Sequence, residues 1–587
     1  MNLTTTVSGL TAAQKGLSVT GHNLANVNTP GYTRQQLLQH ETGYRDIKKY
    51  GGYTQQMGIG VSETEIRQIR DEFADEKYRL ENSKLNFYQT QNKTIQEIET
   101  ILDEPNGESL SKFLDTFWGQ TQKLATNPSG LEERMSFLQN ANVIIQKVNY
   151  IQSSLQDYQT NLNLQVVQMV NKINELVEQI DKLNDKIAVE ELNGVDNAND
   201  YRDKRNNALD ELSGYVDINY YEQPEGGLTV KINGSNGTAL LENGFITTID
   251  LKQTAPRSPF LNPIIRNTGA DMFEITSTET TSIKNAINSA NGNDGGALKA
   301  LLLSRGPVPA DSSTEWSDIA INDNQSVDLE GNYFIIPKLQ KKLDVFTKEI
   351  VTMINESFSG YGVGSEKGLI GPPVFIPIFK GPNPPDMTKI AVDINNINEA
   401  DIIQYNSEME QYYIDIVDHL SALNIEVNPK LLAEGGSSCL GTVPKFIEVD
   451  DPDNPGSTIL VKNNIGNIGS NENVQNLLNR WNSAIHWYQE DPTQPQEKCN
   501  PQIKYLNVAD FYAALVIEIG QDGYIYSNKA IEKLEVVENV NNERWSMSAI
   551  SQDEELSMMM KYQYAYNASA RMLTVLDGMM DVVINKM

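Results

Sequence analysis

Side chains that could do chemistry are few in this chain, and they are badly spaced for it. The four histidines, His22, His40, His419 and His486, include no pair four residues apart. A zinc-binding H-E-x-x-H helix, which needs two imidazoles on one face, is therefore excluded. His22 stands beside Asn23 in a helical pattern and reads as a packed or polar-face residue rather than a ligand or base. No glycine-rich phosphate loop and no G-x-S-x-G elbow occurs. The acidic run "DDPDNP" offers oxygen ligands, but its prolines and turn residues make it a solvated loop rather than a calcium site. The acidic group in "QDEEL" stands where a helix begins, and carboxylates are expected there for capping and for the helix dipole. Cys439 and Cys499 lack C-x-x-C spacing and flank no histidine motif. In loop-like segments they are either two thiols or one disulfide, which would close a loop of about sixty residues and contribute roughly 2–4 kcal/mol. No catalytic residue, cofactor or metal emerges, so a structural or binding role leads over an enzyme.

The bulk numbers narrow the class further. At 587 residues the chain is too long for one core, and three to five domains are expected. Lys and Arg number 47 against 78 Asp and Glu, a net charge of −31. That balance argues against nucleic acid and anionic membrane as main partners, since both need clustered positive charge. No run of eighteen apolar residues exists, so no membrane-spanning helix is expected. The N-terminus shows no charged region followed by an apolar stretch, so no cleavable signal is visible. On these grounds alone the chain would default to the cytoplasm.

The elements that would position any site are helical at both ends. Leucine recurs every seventh residue at Leu3, Leu10, Leu17 and Leu24, with Val7 between them. The stretch "ANVNTPGY" then stops the pattern. Thr29 before Pro30 is pushed out of the α region, and Pro30 followed by Gly31 suits the central positions of a type II turn. Asn26 and Asn28 can satisfy carbonyls left open at the helix end. From 73 to 102 a stripe of Phe73, Leu80, Phe87, Ile98 and Ile101 predicts a helix. The strongest period, Leu162, Val166, Met169, Ile173, Leu176, Ile180, Leu183 and Ile187, alternates steps of four and three and predicts a coiled-coil seam. "RNNALDELSGYV" adds a short helix with Asp and Glu on its solvent side. From 215 the period changes to alternation around Asn-Gly pairs, which predicts hairpins. A helix intervenes at "IPKLQKKLDVFTKEIVTMINESF", and a mixed region with a short helix near "YYIDIVDHLSAL" follows. Helix returns at "VADFYAALVIEIG", broken by Gly520 and Gly523. The last helix opens with a capping box at Ser551 and Glu554 and carries Leu556, Met559, Tyr566, Leu573, Met580 and Ile584 on one stripe. Each end stripe is marginal alone and needs a partner. The economical arrangement pairs the terminal helices with each other or with other copies, with the β-rich middle inserted between them.

"SGLTAAQKGLSVTGHNLANVNTPGYTRQ" and the ending "DEELSMMMKYQYAYNASARMLTVLDGMMDVVINKM" resemble the terminal signatures of the bacterial flagellar axial proteins (rod, hook and hook-associated proteins). "LSKFLDTFWGQTQKLATNPSGLEERMSFLQNA", "NDYRDKRNNALDELS" and "VADFYAALVIEIG" look like the long-helix domain of the hook–filament junction members. The resemblance covers about 1–215 and 505–587 and fades from about 405 to 504. Two departures accompany it: "SAISQDEE" lacks the glycine expected before its acidic group, and the two cysteines are not a family feature.

The resemblance implies an α+β multidomain fold. An inner domain of paired terminal coiled-coil helices (1–33 with 551–587) would join a long helical-bundle stalk (34–215 with 336–358 and 505–550). A β-rich domain (216–335) and a mixed outer lobe (359–504) would be inserted in the middle. It implies assembly through Leu3, Val7, Leu10, Leu17, Leu24, Leu556, Met559, Tyr566, Leu573, Met580 and Ile584, and an exit turn at Asn26, Asn28, Thr29, Pro30, Gly31 and Tyr32. The expected partners are other copies in a ring, hook protein, a second junction protein (hook-associated protein 3), and an export chaperone on the C-terminal helix. The expected place is outside the cell, at the junction of hook and filament, reached by export without a cleaved signal. Distal rod or hook protein would share the termini but not the 162–187 seam. An adhesin-like outer lobe on an axial scaffold is the remaining alternative.

Overall fold

The computed structural model describes residues 3–50, 53–103, 109–192, 197–223, 226–232, 238–255, 258–273, 294–311, 314, 316–319, 333–360, 362–363, 371–378, 407, 420–444, 446–450, 458–462, 470–485, 487 and 506–585. Helix α1 (Leu3–Ala25) leads into four strands, β1 (Gln35–Glu41), β2 (Tyr44–Tyr50), β3 (Tyr53–Gly58) and β4 (Val61–Gln68). Four helices follow: α2 (Glu72–Leu102), α3 (Leu110–Thr126), α4 (Leu131–Glu191) and α5 (Asn199–Tyr215). The middle holds β5 (Ile218–Glu222), β6 (Leu228–Ile232), β7 (Ala239–Glu242), β8 (Phe245–Ile246), β9 (Ile249–Gln253) and β10 (Leu261–Ile265). Then come α6 (Ala297–Arg305), α7 (Ile335–Asn355), short strand pairs such as Phe375–Pro377 with Ile425–Val427, and α8 (Glu472–Asn482). The chain closes with α9 (Val508–Ser548) and α10 (Gln552–Asn585).

Local chemistry explains where helices start and stop. Asp71 accepts hydrogen bonds from the Phe73 and Ala74 N–H groups at 3.0 and 3.2 Å, capping α2, and Asp103 ends it with a left-handed φ of 55°. Ser109 caps α3 through the Lys112 N–H, and Asn507 caps α9 through the Asp510 N–H. Asn243 and Gly244 both take positive φ, 53° and 77°, between β7 and β8. That is the geometry a two-residue type I′ hairpin requires.

One apolar core runs through the stalk and the middle of the chain. Along the 61 residues of α4 the buried line runs through Leu162, Val166, Val170, Ile173, Leu176, Ile180, Leu183 and Ile187. Val170 takes the place expected for Met169, because a straight helix drifts away from a strict seven-residue repeat. The sheets are clad onto this helix rather than held away from it. Leu228, Val230, Ile232, Leu241 and Ile249 share its core. The Asn174 amide exchanges two hydrogen bonds of 2.9 Å with the Ile249 backbone. Asn184 donates to the Leu228 carbonyl at 3.1 Å. Each amide satisfies a sheet edge that would otherwise be buried without a partner.

Several expectations are corrected. Phe73 and Leu80 lie 74% and 41% exposed, so the predicted stripe is buried only in its second half, at Phe87 and Ile98, with Ile101 packed against the core. The buried face of α2 passes through Ala74, Arg79, Ser83, Phe87, Gln91, Ile95, Ile98 and Leu102, because α2 packs on α5 and α9 through polar pairs as well as apolar ones. Gly520 and Gly523 do not break α9, which is continuous over 41 residues. A Cβ on Gly523 would sit 3.0 Å from Ile95 Cγ2, so this glycine lets α2 and α9 approach. Residues 35–50 and 53–68 form a strand ribbon ahead of the first predicted stalk helix, for which no strand was predicted: β1 pairs with β4 and β2 with β3. Asp210 is not on a solvent side. It bridges Arg79 Nε at 2.6 Å and Arg544 at 2.7 Å, tying α5 to α2 and α9. The helix expected near "YYIDIVDHLSAL" and the loop "DDPDNPGS" fall mostly outside the described residues.

Charged groups inside this core are individually placed. Lys299 of α6 is 5% exposed, and burial pulls its ammonium down to about 8, against the opposing pull of Asp217 and Asp294. Below pH 8 both folded and unfolded chains hold this proton, so its effect on stability is constant. Between pH 8 and about 10 the folded chain has released it while the unfolded chain, with an ordinary lysine near 10.4, retains it. The unfolded state then binds more protons, and stability rises with pH by on the order of 1–3 kcal/mol. Above pH 10 the trend reverses, because burial holds the Tyr526 hydroxyl protonated in the fold while it titrates in the unfolded chain. Denaturant titrations at pH 7.5 and 9.5 check this. In Lys299→Met the rise disappears.

Candidate assembly interface

The two ends of the chain meet. Helices α1 and α10 pack antiparallel, with Asn23 beside Glu555, Gly16 beside Tyr562 and Gly9 beside Ser569. The residues that make this seam are small. Ala12, Ala13, Gly16, Val19, Thr20 and Asn23 are the buried positions of α1. A Cβ on Gly16 would lie 2.5 Å from the Tyr562 ring, so the aromatic side chain occupies the space that glycine leaves.

The leucine heptad is therefore not the seam between these two helices. Leu3 and Val7 are 47% and 42% exposed, and Leu10, Leu17 and Leu24 are half-buried on its flank. On α10, Met559, Tyr566 and Leu573 are half-buried, whereas Leu556, Met580 and Ile584 are exposed. Only Glu555 and Leu576 of α10 are fully buried. Small residues allow the closest approach of two backbones, so the larger apolar side chains are displaced outward.

At the end of α1 the chain reverses. The Tyr32 N–H donates to the Thr29 carbonyl at 3.2 Å, and Gly31 takes φ +75°, which is type II geometry with Pro30 and Gly31 in the centre. Asn26 caps α1 twice: its backbone N–H and its amide both donate to the His22 carbonyl, at 3.1 and 3.0 Å. Asn28 stands exposed. The Tyr32 hydroxyl donates to Asn23 Oδ1 at 2.9 Å and lies 3.0 Å from His22 Nδ1, which accounts for His22 as a polar-face residue. Burial and the neighbouring carboxylates Asp200, Asp203 and Glu555 raise the Tyr32 hydroxyl and keep it a donor.

Asn23 is the hub that sequence reasoning missed. Its amide donates to the Gln35 carbonyl at 2.8 Å and to Glu555 Oε2 at 3.1 Å, while its oxygen accepts the Gln35 N–H at 3.0 Å. Arg34 completes the clamp, with Nε at 2.8 Å from Glu555 and a terminal nitrogen at 2.9 Å from Glu554. The acidic group of "QDEEL" thus does more than favour a helix start: it receives the arginine that follows the turn. No period could reveal this, because the partners are more than five hundred residues apart.

Gly31 rests directly on α5. A Cβ there would lie 2.1 Å from Asn207 Oδ1. Gly31→Val adds that clash to a φ that β-branched residues resist, roughly 1–3 kcal/mol of strain before the clash is counted. Pro30→Ala loses only the preset φ of one turn residue. Gly31→Val should lower the melting temperature of the free chain by more than Pro30→Ala does. Equal, wild-type stability for both would make the turn a passive linker.

The remaining sequence candidates lie elsewhere. Cys439 is half-buried in the turn Gly436–Cys439, packed against the core. Arg134 draws that turn inward through the Ser437, Ser438 and Leu440 carbonyls. Cys499 lies outside the described residues, and so does the expected pairing.

Known proteins share parts of this sequence and fold. The profile of the flagellar hook-associated protein FlgK helical domain matches residues 95–368, and that of the flagella basal body rod protein matches residues 3–33. Flagellar hook-associated protein 1 of Bacillus subtilis (strain 168) is 26% identical over 100% of this chain and 98% of its own length. Over its full length the chain is similar to flagellar hook-associated protein 1. Another relative of the same description, from Escherichia coli (strain K12), is 21% identical over 99% of this chain and 98% of its own. The solved structure of the flagellar hook junction protein FlgK from Burkholderia pseudomallei superposes with a TM-score of 0.52 at 11% identity, covering 81% of this chain and 100% of that one. At that identity it speaks for the fold alone. The rod-protein match falls on α1 and its turn, and the helical-domain match begins within α2 and runs past α7.

Proposed function

We propose that this chain is the structural junction between hook and filament of a bacterial flagellum, built into the axis through α1 and α10. The observation that carries the reading is the pairing of the chain's two ends. Paired by their small residues, the terminal helices turn Leu3, Val7, Leu556, Met580 and Ile584 outward, an apolar surface that a lone chain has no use for. The full-length match to junction proteins, rather than to rod or hook protein, favours this member of the axial family. Copies of the chain in a ring, hook protein, and a second junction protein (hook-associated protein 3) are the partners this reading calls for. A cytosolic chaperone would cover α10 before export, and the chain would act outside the cell without catalysing a reaction. Its division into inner arm, helical stalk and two outer lobes belongs to the same reading.

Deleting the gene tests it. Hooks should form while filament protein is shed into the medium, and restoring the chain should restore attachment. Normal filaments in the deletion strain would refute the assignment.

The surface itself can be probed without disturbing the monomer. Val7→Asp and Met580→Asp place a charge on exposed positions, so the free chain should melt as before. In the assembly the same charge would be buried without a partner, at a cost of roughly several kcal/mol per copy. Incorporation should fail with stability unchanged. Attached filaments in both variants would show that this surface does not assemble.

A further inference from the structure

The paired ends are joined to the stalk by a contact of a different kind from either part. The main apolar core takes no residue from 3–70 or from 549–585. What crosses the joint is polar, and most of it ends on one edge of α5. The Thr33 N–H donates to Asp203 Oδ2 at 3.0 Å, and the Gln68 amide donates to Asp203 Oδ1 at 2.8 Å and to the Asn199 carbonyl at 3.0 Å. Asn199 returns a 2.8 Å bond to the Ile66 carbonyl, and Asn197 reaches Glu65 at 2.7 Å. Arg70 lies 3.8 Å from Asp203, and Asn207 fills the space beneath Gly31.

Asn199, Asp203 and Asn207 are four residues apart, so they line one edge of a helix. The opposite side of α5 is fixed to the stalk. Ala208, Leu209 and Leu212 enter the core. Arg202 holds Glu191 with two bonds of 2.8 Å, and Arg205 reaches Asn184, the Gly226 carbonyl and Glu222. Beside this edge a cavity of about 240 Å³, lined by Thr29, Gly31, Asn207, Arg544, Trp545 and Ile550 among others, separates the turn from α9. The joint is thus narrow, polar and incompletely packed, while both parts it connects are held internally.

We infer that the Asn199–Asp203–Asn207 edge of α5 is a positioning element that sets the angle at which the terminal-helix arm leaves the stalk. Hydrogen bonds define direction where an apolar interface would only define proximity. Polar contacts also exchange with water at small net cost, so the setting can be altered without unfolding either part. This rests on reading the terminal helices as the assembling arm, but its test is made on the free chain and does not depend on assembly.

The test is a distance distribution in the full-length chain, with Cys439→Ser and Cys499→Ser, between spin labels at Gln39 on β1 and Gln168 on α4. The reference chain should give one narrow distance. Asp203→Ala with Asn207→Ala should give a distribution at least about twofold wider, since the hydrogen bonds that confine the arm are gone. Asp203→Asn, which still accepts the Thr33 N–H, should stay narrow. A second label pair within the stalk, Gln168 with Glu211, should be unchanged throughout, which separates loss of positioning from loss of fold. If the double variant unfolds the stalk pair, Gln68→Ala removes the same link from the ribbon side and should widen the distribution alone. A broad reference distribution, or an unchanged width in the substituted chains, would overturn the inference.

Discussion

Replacing Arg134 with leucine should lower the stability of the chain by about 3–5 kcal/mol, with residues 436–442 the first to open. Arg134 stands in the first turn of α4, 3% exposed. Its guanidinium makes five hydrogen bonds. Nε donates to the Pro128 carbonyl at 2.6 Å, and the terminal nitrogens donate to the carbonyls of Ser437, Ser438 and Leu440 at 3.1–3.2 Å and to Thr442 Oγ1 at 2.9 Å. The described residues place no carboxylate in ion-pair range of it, and burial pushes its guanidinium below the usual value. The arginine is therefore a fastener made of hydrogen bonds rather than charge pairing. Leucine would fill much of the space but leave the Pro128 and Ser438 carbonyls without this donor, each costing roughly 1–3 kcal/mol before relaxation, and leave those of Ser437 and Leu440 with only the backbone N–H groups of Leu440 and Thr442. Hydrogen exchange at 436–442 and a denaturant midpoint check the result. Arg134→Lys should recover only part of the loss, because three donors replace five. An unchanged midpoint for the leucine variant would mean that water satisfies these carbonyls.

The second large effect is expected at Gly16. Gly16→Val puts a branched side chain where the Tyr562 ring already lies, 2.5 Å from the nearest ring atom. Tyr562 cannot simply rotate away, since Ala12, Ala13, Val19 and Thr20 crowd the same side of α1. The helices must separate along their length, because small residues at Gly9, Ala13 and Gly16 hold them together at one spacing. Attachment of filaments should fall by about 100-fold or more, the equivalent of roughly 3 kcal/mol lost from each pair of helices. Gly16→Ala should be intermediate. The stalk is independent of this contact, so its thermal transition should not move, which distinguishes the effect from misfolding. Normal attachment with Gly16→Val would mean that the two helices do not pair in the assembled state.

Sequence patterning reached the helices better than their faces. The heptads at both ends announced helices, and α1 and α10 are where they were expected. Which side pairs was not legible, because hydrophobic periodicity ranks side chains by size and apolarity, whereas this seam is chosen by smallness. Gly16 and Ala13 are silent in such a count, and Leu3 dominates it. The turn at 26–32 was legible because proline and glycine restrict φ in ways that need no tertiary context. The ribbon at 35–68 was not: stretches such as "QQLLQHE" are too polar to show a period of two, and its stability comes from lying along α1. Asp210 was read as solvated for the same reason. Asn199, Asp203 and Asp210 are polar residues at helical spacing, and sequence offers no sign that Thr33, Gln68 and three arginines come to meet them.

The unbroken run of α4 has a consequence for how force passes through the molecule. At 1.5 Å per residue, its 61 residues make a rod of about 90 Å. One end is bolted by Arg134 to the turn at 437–442, and the other lies beside Glu191, Arg202 and the head of α5. Torque from a turning flagellum would enter at the paired ends and travel along this rod. Stiffnesses in series add as compliances, so the softest member takes most of the deflection. A continuous helix clad by sheets is stiff in bending and twist, and the few hydrogen bonds at the foot of α5 are not. Twist would therefore be absorbed near Thr33 and Gly31, and the lobe at the far end would ride through each revolution almost undeformed.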